Sequence, residues 1–380
     1  MIYMDYAATT KPKKAVLEAM QSSALAFYGN PSSLHDVGID AKKRYNQAKI
    51  NIAKTLNVSN KEIIFTSGGT EAINTVLKSH FFKYPNKTIV TTSIEHAAGK
   101  NTAQFIKDQG GNVTYLKNDP FGFVDLDHLK QILKHQEVSL VSIIYINNEL
   151  GTKQNIEALC QLKREYPFSL HLDMVQAPAH ERLDLKAFDI DYVSFSAHKF
   201  YGPRGVGMLY AKNPDKLENH MHGGSHELGK RAGTENLPGI IGMEKALELI
   251  QQKPENTAHV ERLAAYFIES LEKNNIDFRL NGPALDHSRI PGILNLGFKD
   301  EDAQMMAFKL NEHGIFISIG SACHAQVIEP SHVLKHIGVP KDYLYGSMRF
   351  SFSDQERFED IDNVVAVIKH LITSNETKNS

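Results

Sequence analysis

The sequence predicts an α/β fold: a mostly parallel, doubly wound sheet with helices on both faces, accompanied by a smaller α+β domain. One observation is an alternation of strand-like and helix-like segments. Short β-branched runs lie at residues 62–66, 88–92, 140–146, 170–172, 192–196 and 207–210, with amphipathic segments such as 71–82 and 156–165 between them. Apolar strands that alternate with helices favour a parallel sheet covered on both faces. A second observation is that glycine-rich or polar motifs follow several runs directly, where such sheets bind ligands.

A different pattern begins near residue 254. A helical pattern at 260–272 is followed by shorter strand and helix patterns at 292–297, 303–313, 315–318 and 348–351. We expect residues 13–254 to form the large domain, and residues 1–12 with 255–380 to form the small one. A chain of 380 residues is long enough to bury two cores.

Composition and charge exclude several classes of protein. The formal net charge of −2 gives no reason to expect nucleic-acid binding or attraction to a membrane surface. No apolar run approaches the ~20 residues of a membrane span, and the N-terminus lacks the pattern of a signal peptide, so we expect a cytoplasmic protein. Two cysteines, Cys160 and Cys323, do not form a disulfide framework or a metal-binding Cys-x-x-Cys motif.

A glycine turn follows the first strand pattern of the large domain. The run Ile63-Ile64-Phe65-Thr66-Ser67-Gly68-Gly69-Thr70-Glu71 indicates a strand, a turn and the start of a helix. Glycines let the backbone approach an anion closely, and Thr70 is a candidate cap for the helix. The free N–H groups at the helix start favour a phosphate. An ordinary β–α turn is the alternative.

A lysine and an aspartate stand at the ends of two further strand patterns. Asp173 ends an apolar run, and Lys199 follows the buried run 192–196 and precedes a Gly/Pro loop. Pyridoxal phosphate (PLP) requires an amine for its Schiff base, a carboxylate facing its pyridine nitrogen, and donors for its phosphate. Lys199, Asp173 and the turn 67–70 supply all three, with Ser196 and His198 as further phosphate donors. For Lys199 alone, the alternative is a lysine that extends its amine from a strand end to solvent.

Two more groups fit a PLP site. His96, in Ser93-Ile94-Glu95-His96, ends a strand pattern and can stack on a pyridine ring. Asn148, in Asn147-Asn148-Glu149-Leu150-Gly151, can reach the phenolic oxygen of the cofactor. Either residue can instead be a loop residue that hydrogen-bonds to backbone.

A cysteine follows a strand pattern in the predicted small domain. Cys323 lies in Gly320-Ser321-Ala322-Cys323-His324, among small and polar residues. This context predicts an exposed thiol, whose thiolate is the nucleophile of sulfur transfer. The alternative is an inert side chain that fills a gap, as we expect for Cys160 in its apolar helical pattern.

An arginine interrupts an apolar strand pattern. Arg349 lies in Tyr345-Gly346-Ser347-Met348-Arg349-Phe350-Ser351. A buried guanidinium requires a carboxylate. Two partners remain open: the α-carboxylate of an amino-acid substrate, with Asn30 assisting, or an internal Asp or Glu.

Together these motifs resemble the cysteine desulfurases, in the class V branch of the fold-type I PLP enzymes. The resemblance runs from Tyr3-Met4-Asp5-Tyr6-Ala7-Ala8-Thr9-Thr10 to Arg349-Phe350-Ser351. Its most specific motifs are Ser196-Ala197-His198-Lys199, His222-Gly223-Gly224, Arg231-Ala232-Gly233-Thr234-Glu235-Asn236, and Ser321-Ala322-Cys323 followed by Glu329-Pro330-Ser331-His332. It implies the fold-type I architecture, with a seven-stranded sheet in the large domain.

The resemblance also implies an activity and its residues. Sulfur is removed from L-cysteine, which leaves L-alanine and a persulfide on Cys323 that passes to an acceptor protein for iron–sulfur cluster assembly or tRNA thiolation. Lys199 and His96 take part in proton transfer, and Arg349 and Asn30 hold the substrate carboxylate. The residues assigned to PLP are Gly69, Thr70, His96, Asn148, Asp173, Gln176, Ser196, His198 and Lys199. Thr234 is expected to reach the phosphate of the partner subunit, so a homodimer is implied.

One segment departs from the family pattern, and other functions remain open. The segment His324-Ala325-Gln326-Val327-Ile328 is bulkier than the loop expected after the cysteine, which leaves the preferred sulfur acceptor open. A selenocysteine lyase or a small-substrate aminotransferase would share the cofactor residues. Transamination needs no thiol, so Ser321-Ala322-Cys323 argues against the aminotransferase. A PLP-bound scaffold without turnover is a further alternative, less favoured because Lys199, Asp173 and Cys323 are all present.

Overall fold

The computed structural model describes residues 1–252, 257–320 and 329–379. Its strands are β1 (Ile2–Tyr3), β2 (Ile63–Thr66), β3 (Thr88–Thr92), β4 (Val113–Leu116), β5 (Val138–Ile144), β6 (Ser169–Asp173), β7 (Tyr192–Ser196), β8 (Gly207–Ala211), β9 (Phe278–Asn281), β10 (Ile293–Phe298), β11 (Ile315–Phe316) and β12 (Ser347–Ser351). Its α-helices are α1 (Lys14–Ala26), α2 (Asp36–Thr55), α3 (Gly69–Lys83), α4 (Ala97–Asp108), α5 (Leu126–His135), α6 (Ile156–Glu165), α7 (Ala177–His180), α8 (Leu237–Gln252), α9 (Thr257–Lys273), α10 (Ala303–Glu312), α11 (His332–His336), α12 (Lys341–Leu344) and α13 (Phe358–Asn379). No helix in these ranges combines the length and the apolar content that crossing a bilayer requires.

Seven strands form the large sheet, in the order β2-β8-β7-β6-β5-β3-β4. Strand β8 is antiparallel to both of its neighbours, and the remaining pairs are parallel. Every residue of β5 and β7 is buried, as expected for strands covered by helices on both faces. The predicted architecture, a mostly parallel seven-stranded sheet within an α/β fold, is confirmed.

Edge strand β4 was not predicted from the sequence. Its residues Val113, Thr114 and Tyr115 are half-buried, and only Leu116 is buried. Such a strand carries no continuous apolar run, so its pattern resembles that of a loop. Strand β5 also differs from its prediction, since it begins at Val138 and ends at Ile144 rather than spanning 140–146.

The residues after Thr257 build a second core around a smaller sheet. Strands β12, β10 and β9 pair antiparallel in that order, and β1 pairs parallel with β11. Met4 is fully buried in this core together with Phe267, Leu294 and Phe350. The N-terminal segment thus packs with the later part of the chain. This packing supports the predicted division at residue 254, which stays a prediction.

Candidate active site

The topology of the large sheet brings the predicted motifs to one edge. Strands β2 and β7 are both antiparallel to β8, so they run parallel to each other and to β6, β5 and β3. Gly207 begins β8 and pairs with Thr66 on one side and Ser196 on the other. The glycine turn after β2 therefore lies beside the start of the Lys199 segment, at the carboxyl ends of the parallel strands.

Close backbone packing at this edge depends on glycine. A Cβ atom at Gly207 would collide with the carbonyl oxygen of Phe195 and would lie 2.7 Å from the Cα atom of Gly68. A Cβ atom at Gly69 would lie 2.7 Å from Cγ2 of Val175. Both positions lack room for a side chain, so the turn can approach the neighbouring strands.

The strand ends surround a pocket. Its lining includes all nine residues that the family resemblance assigns to the cofactor within one chain, namely Gly69, Thr70, His96, Asn148, Asp173, Gln176, Ser196, His198 and Lys199. Apolar side chains complete the lining, contributed by Ile73, Ile144, Ile146 and Val175. An apolar cavity with a few convergent polar groups is the usual form of a small-molecule site.

Helix α3 begins at this pocket. The first amide of α3 that bonds within the helix is that of Ala72, which donates to Gly68 O at 3.2 Å. The amides of Gly69, Thr70 and Glu71 precede it and lie in the first turn, where N–H groups have no intrahelical acceptor. The prediction that Thr70 caps the helix is wrong. Gly68 occupies the N-cap position and Thr70 lies inside the helix, which leaves its exposed hydroxyl group available to a ligand.

Asp173 is a buried carboxylate at the end of β6. Its Oδ1 atom accepts a hydrogen bond from the backbone N–H of Val175 at 3.0 Å. Burial raises the pKa of Asp173 to about 6, while that bond and the charge of Lys199 oppose the rise. A carboxylate of this kind gains stability from a positively charged partner in the pocket.

Lys199 lies in a short 3-10 turn (Ala197–Lys199) that follows β7. Its Nζ atom donates to the carbonyl oxygens of Ala7 at 2.6 Å and Ala8 at 2.9 Å. Burial lowers the pKa of Lys199 to about 8, with the charge of Arg349 acting in the same direction. The amine is therefore neutral in a large fraction of molecules near pH 8, as nucleophilic attack on an aldehyde requires. The alternative of an amine extended into solvent is ruled out for this chain by these contacts.

His96 caps helix α4 and faces the same pocket. Its Nδ1 atom accepts a hydrogen bond from the backbone N–H of Ala98 at 3.1 Å, so the neutral ring carries its proton on Nε2. Burial lowers the pKa of His96, and the Lys199 charge adds to the effect. The ring is a neutral group that can stack on a flat ligand and exchange a proton through Nε2.

Glu95, next to His96, is a buried acid that the sequence did not single out. Its Oε1 atom accepts from Thr92 Oγ1 at 2.7 Å and from the amide of Ile144 at 3.0 Å. Burial raises the pKa of Glu95 to about 8 despite both bonds. The carboxyl group thus ties the end of β3 to β5, underneath the His96 loop.

His198 and Ser196 flank the glycine turn. A Cβ atom at Gly68 would lie 3.5 Å from Ser196 Oγ, so that hydroxyl group adjoins the turn. His198 Nδ1 lies 3.2 Å from Thr9 Oγ1. Burial lowers the pKa of His198 to about 4, and the nearby charge of Lys199 contributes. Hydroxyl, imidazole and amide groups therefore line the pocket beside the glycine turn, where a phosphate was predicted.

Arg349 has an internal partner. Its Nη2 atom donates to Asp5 Oδ1 at 2.7 Å, and its Nη1 atom donates to the carbonyl oxygen of Asn148 at 3.0 Å. Its Nε atom is buried and has no partner among the described residues. The sequence left an internal carboxylate open as an alternative, and Asp5 is that carboxylate.

Two predicted residues lie outside the pocket lining, and a third is not described. Asn30 is exposed, and its Oδ1 atom accepts from the amide of Ser32 at 2.9 Å, so the structure does not bring it into the pocket lining. Thr234 is exposed and also lies outside that lining. Cys323 falls outside the described residues. Cys160 is buried inside α6, as predicted.

The N-terminal segment was quoted in the family resemblance but given no role. Besides holding Lys199, Ala7 O accepts from Gln176 Nε2 at 2.9 Å. Thr10 Oγ1 donates to His198 O at 2.9 Å and accepts from the amide of Tyr201 at 2.6 Å. Residues 5–10 thus lie against the lysine, the glutamine and the histidine of the pocket, mostly through backbone atoms.

The residues that flank 321–328 contact the Asn148 loop. Glu149 is buried, and its Oε2 atom accepts from the Ser331 hydroxyl at 2.5 Å. A Cβ atom at Gly320 would lie 2.5 Å from the same Oε2 atom. His332 Nε2 lies 3.0 Å from the carbonyl oxygen of Glu95. Both flanks of the segment that carries Cys323 are therefore fixed close to pocket loops.

Comparison with known proteins gives one consistent result. Residues 2–364 match the family described as aminotransferase class-V. The cysteine desulfurase IscS of Clostridium botulinum strain Hall is 42% identical over 376 residues, which cover 98% of this chain and 94% of that protein. The cysteine desulfurase IscS of Dictyoglomus turgidum is 40% identical over 374 residues, with the same coverage of 98% and 94%.

Solved structures agree with these relatives. A NifS-like protein superposes with a TM-score of 0.90 at 32% identity, covering 98% of this chain and 99% of that one. A structure described as SspA in complex with cysteine gives a TM-score of 0.81 at 32% identity, covering 94% and 100%. The similarity extends over nearly the whole chain.

Proposed function

Because the chain belongs to the cysteine desulfurases of the class-V aminotransferase family, we propose that it is a PLP-dependent enzyme that removes sulfur from L-cysteine. The products would be L-alanine and a persulfide on Cys323. The observation that carries the proposal is the convergence of Lys199, Asp173 and His96 on one pocket beside the start of α3.

The pocket residues fit PLP in charge and in donor type. The first-turn amides of α3, with the hydroxyls of Thr70 and Ser196, would hold the phosphate. Asp173 would hold the protonated pyridine nitrogen, and Asn148 and Gln176 would contact the phenolic oxygen. Lys199 would link to the aldehyde. When bound, PLP withdraws electrons from the amine-bearing carbon of the substrate.

Lys199 and His96 would manage the protons. The lysine amine, whose pKa is lowered to about 8, can take a proton at Nζ and return it within the neutral pH range. His96 can donate from Nε2, because its Nδ1 atom is occupied by the Ala98 amide. The buried Asp173 would remain an anion opposite the cofactor, stabilised by the positive charge there.

Cys323 would be the nucleophile. Its thiolate would attack the substrate sulfur, so that an S–S bond forms while the bond between that sulfur and the substrate Cβ breaks. The electron pair of the broken bond goes to the substrate carbon, which takes up a proton as alanine forms. The contacts of Glu149 with Ser331 and Gly320 support this role, because they keep both flanks of the cysteine segment near the pocket.

Three finer roles follow from the family. Arg349, with Asn30, would bind the substrate α-carboxylate. Thr234 would complete the phosphate site of a partner subunit, which its exposed position in this chain permits. The persulfide would pass to an acceptor protein, either an iron–sulfur scaffold or a tRNA thiolase.

Alanine formed from cysteine by the PLP-loaded protein is the direct test. Cys323→Ser should bind PLP normally and lose both sulfide release and persulfide. Cys160→Ala is the matched control, since it removes the other thiol at a buried site inside α6. Normal sulfide production by Cys323→Ser would overturn the nucleophile assignment, and absence of alanine with the wild-type protein would overturn the activity.

A selenocysteine lyase is the second candidate, because it would use the same cofactor residues. Parallel assays with cysteine and selenocysteine distinguish the two activities. Turnover of selenocysteine alone would replace the proposed function with the second one.

A further inference from the structure

The guanidinium of Arg349 is buried and already holds a carboxylate. Its side chain is 7% exposed, and it donates to Asp5 Oδ1 at 2.7 Å. Its Nη1 atom donates to the carbonyl oxygen of Asn148, and its Nε atom has no partner among the described residues. Arginine binds a carboxylate best through two parallel N–H groups. The N–H groups of Nε and Nη2 form one such parallel pair. In this structure Nη2 already donates to Asp5.

The backbone around Asp5 is fixed by the smaller sheet. Asp5 forms a parallel bridge with Ser351, whose amide donates to Met4 O at 2.8 Å. The Ser351 hydroxyl accepts from the amide of Ala7 at 2.9 Å. Arg349 lies two residues before Ser351 on β12. The backbone positions of Asp5 and Arg349 are therefore fixed relative to each other, and the contact between their side chains is a consequence of the fold.

The Asp5 side chain can nevertheless leave the guanidinium. It is 23% exposed, three times the exposure of Arg349, so rotation about its side-chain bonds can carry the carboxylate toward solvent. An Asp–Arg pair in this setting has no net charge. An anionic ligand that approaches Arg349 therefore finds little attraction until Asp5 moves away.

We propose that Asp5 is the resting ligand of Arg349 and that the α-carboxylate of the amino-acid substrate displaces it from Nη2. This exchange rests on the proposed function in one respect, because that function identifies the displacing carboxylate as that of the substrate. It makes Asp5 a residue that weakens carboxylate binding. The incoming carboxylate accepts hydrogen bonds from both Nε and Nη2, so the buried Nε atom also gains a partner.

Asp5→Asn tests the exchange, because the amide keeps an oxygen acceptor for Nη2 and removes the competing charge. The probe is propionate, which has the carboxylate of cysteine without its amine or thiol, titrated calorimetrically into the PLP-loaded protein. We expect its Kd to fall about three- to tenfold, as loss of a charged hydrogen-bond competitor allows. The KM for cysteine should fall similarly, with the larger effect on KM rather than on kcat.

Two controls accompany this variant. Asp40→Asn removes one exposed carboxylate that contacts Lys43 at 3.1 Å, and so reports the effect of net charge alone. In an Arg349→Gln background the effect of Asp5→Asn on propionate binding should vanish. An unchanged or raised propionate Kd in Asp5→Asn would overturn the proposal, since it would make Asp5 a support for Arg349.

A crystal structure of the wild-type protein with propionate gives a second measurement that needs no variant. The expected result is propionate on Nε and Nη2, with the Asp5 carboxylate turned away. Propionate bound to Arg349 with Asp5 still on Nη2 would overturn the exchange. Absence of alanine formation from cysteine would refute the proposed function, while the propionate experiments would still decide the role of Asp5.

Discussion

The Glu149 carboxyl group accepts the Ser331 hydroxyl at 2.5 Å, and this bond joins the Asn148 loop to the segment that precedes α11. Burial raises the pKa of Glu149, and the Ser331 bond opposes the rise. The same hydroxyl oxygen accepts from the amides of Val333 and Leu334 and so caps α11.

Ser331→Ala should therefore destabilise the protein by about 1–3 kcal/mol, because it removes a helix cap and a donor to a buried carboxyl group. Chemical denaturation measures the loss. Ser22→Ala, at an exposed position on α1, is the matched control. Equal stability of the two variants would mean that the Glu149–Ser331 bond contributes nothing to the fold.

PLP loading should depend on pH through Lys199. Burial, with help from Arg349, lowers the pKa of this lysine from 10.5 to about 8, so the amine loses its proton as the pH rises through about 8. Covalent loading of the PLP-free protein should rise with pH and level off above that value, as measured by borohydride reduction and mass spectrometry. Lys199→Ala should show no covalent loading.

Arg349→Gln tests whether the charge of Arg349 contributes to the lowered pKa of Lys199. Removing the cation should raise the Lys199 pKa and move the loading midpoint to higher pH. A midpoint that stays in place, or moves to lower pH, would contradict the electrostatic account.

Glu95→Gln should reverse a pH-dependent loss of stability. Burial raises the pKa of Glu95 from 4.5 to about 8, so the folded protein holds this proton more tightly than the unfolded chain. The stability of the PLP-free protein should then fall as the pH rises from about 4.5 to 8. Glutamine carries no such penalty. The variant should gain on the order of a few degrees in apparent Tm at pH 8 and less at pH 5.

Thermal scans at both pH values measure this difference. Glu157→Gln, at an exposed position on α6, controls for the removal of one carboxyl group. The same Tm difference at pH 5 and pH 8 would show that Glu95 does not titrate as described.

Gly69→Ala should weaken PLP binding by roughly tenfold or more, the cost of forcing one methyl group into close packing. The new Cβ atom would lie 2.7 Å from Val175 Cγ2 and would push the turn away from β6. The double variant Gly69→Ala/Val175→Ala should recover part of the affinity, because it removes that Cγ2 atom. It also preserves the hydrogen bond from the backbone N–H of residue 175 to Asp173. Absorbance titration with PLP measures both, and no recovery would place the clash elsewhere.

The sequence predicted the large sheet, and nine of the residues it singled out line one pocket at the edge of that sheet, for a physical reason. Strands such as β5 and β7 are buried on both faces, so they appear as continuous apolar runs, and the topology then brings the residues that follow them together. The edge strand β4 was not predicted, because its half-buried residues Val113, Thr114 and Tyr115 produce no such run.

Other parts of the site could not be predicted from residue types. Ala7 and Ala8 hold Lys199 through backbone carbonyl oxygens, which any residue possesses. Asp5 and Arg349 are 344 positions apart, so their pairing depends on the tertiary fold. Threonine is a preferred capping residue, but the N-cap of α3 is Gly68, two residues before Thr70.

The contacts of Ser351 with Met4 and Ala7 also bear on the order in which the protein matures. A ribosome releases the N-terminal segment long before β12, yet β12 is what holds that segment against Lys199. The large sheet can assemble as soon as residue 211 has emerged, whereas the support of its lysine must wait for a partner synthesised 140 residues later. We therefore expect PLP to bind covalently at Lys199 only after β12 has been synthesised and has paired with the N-terminal segment.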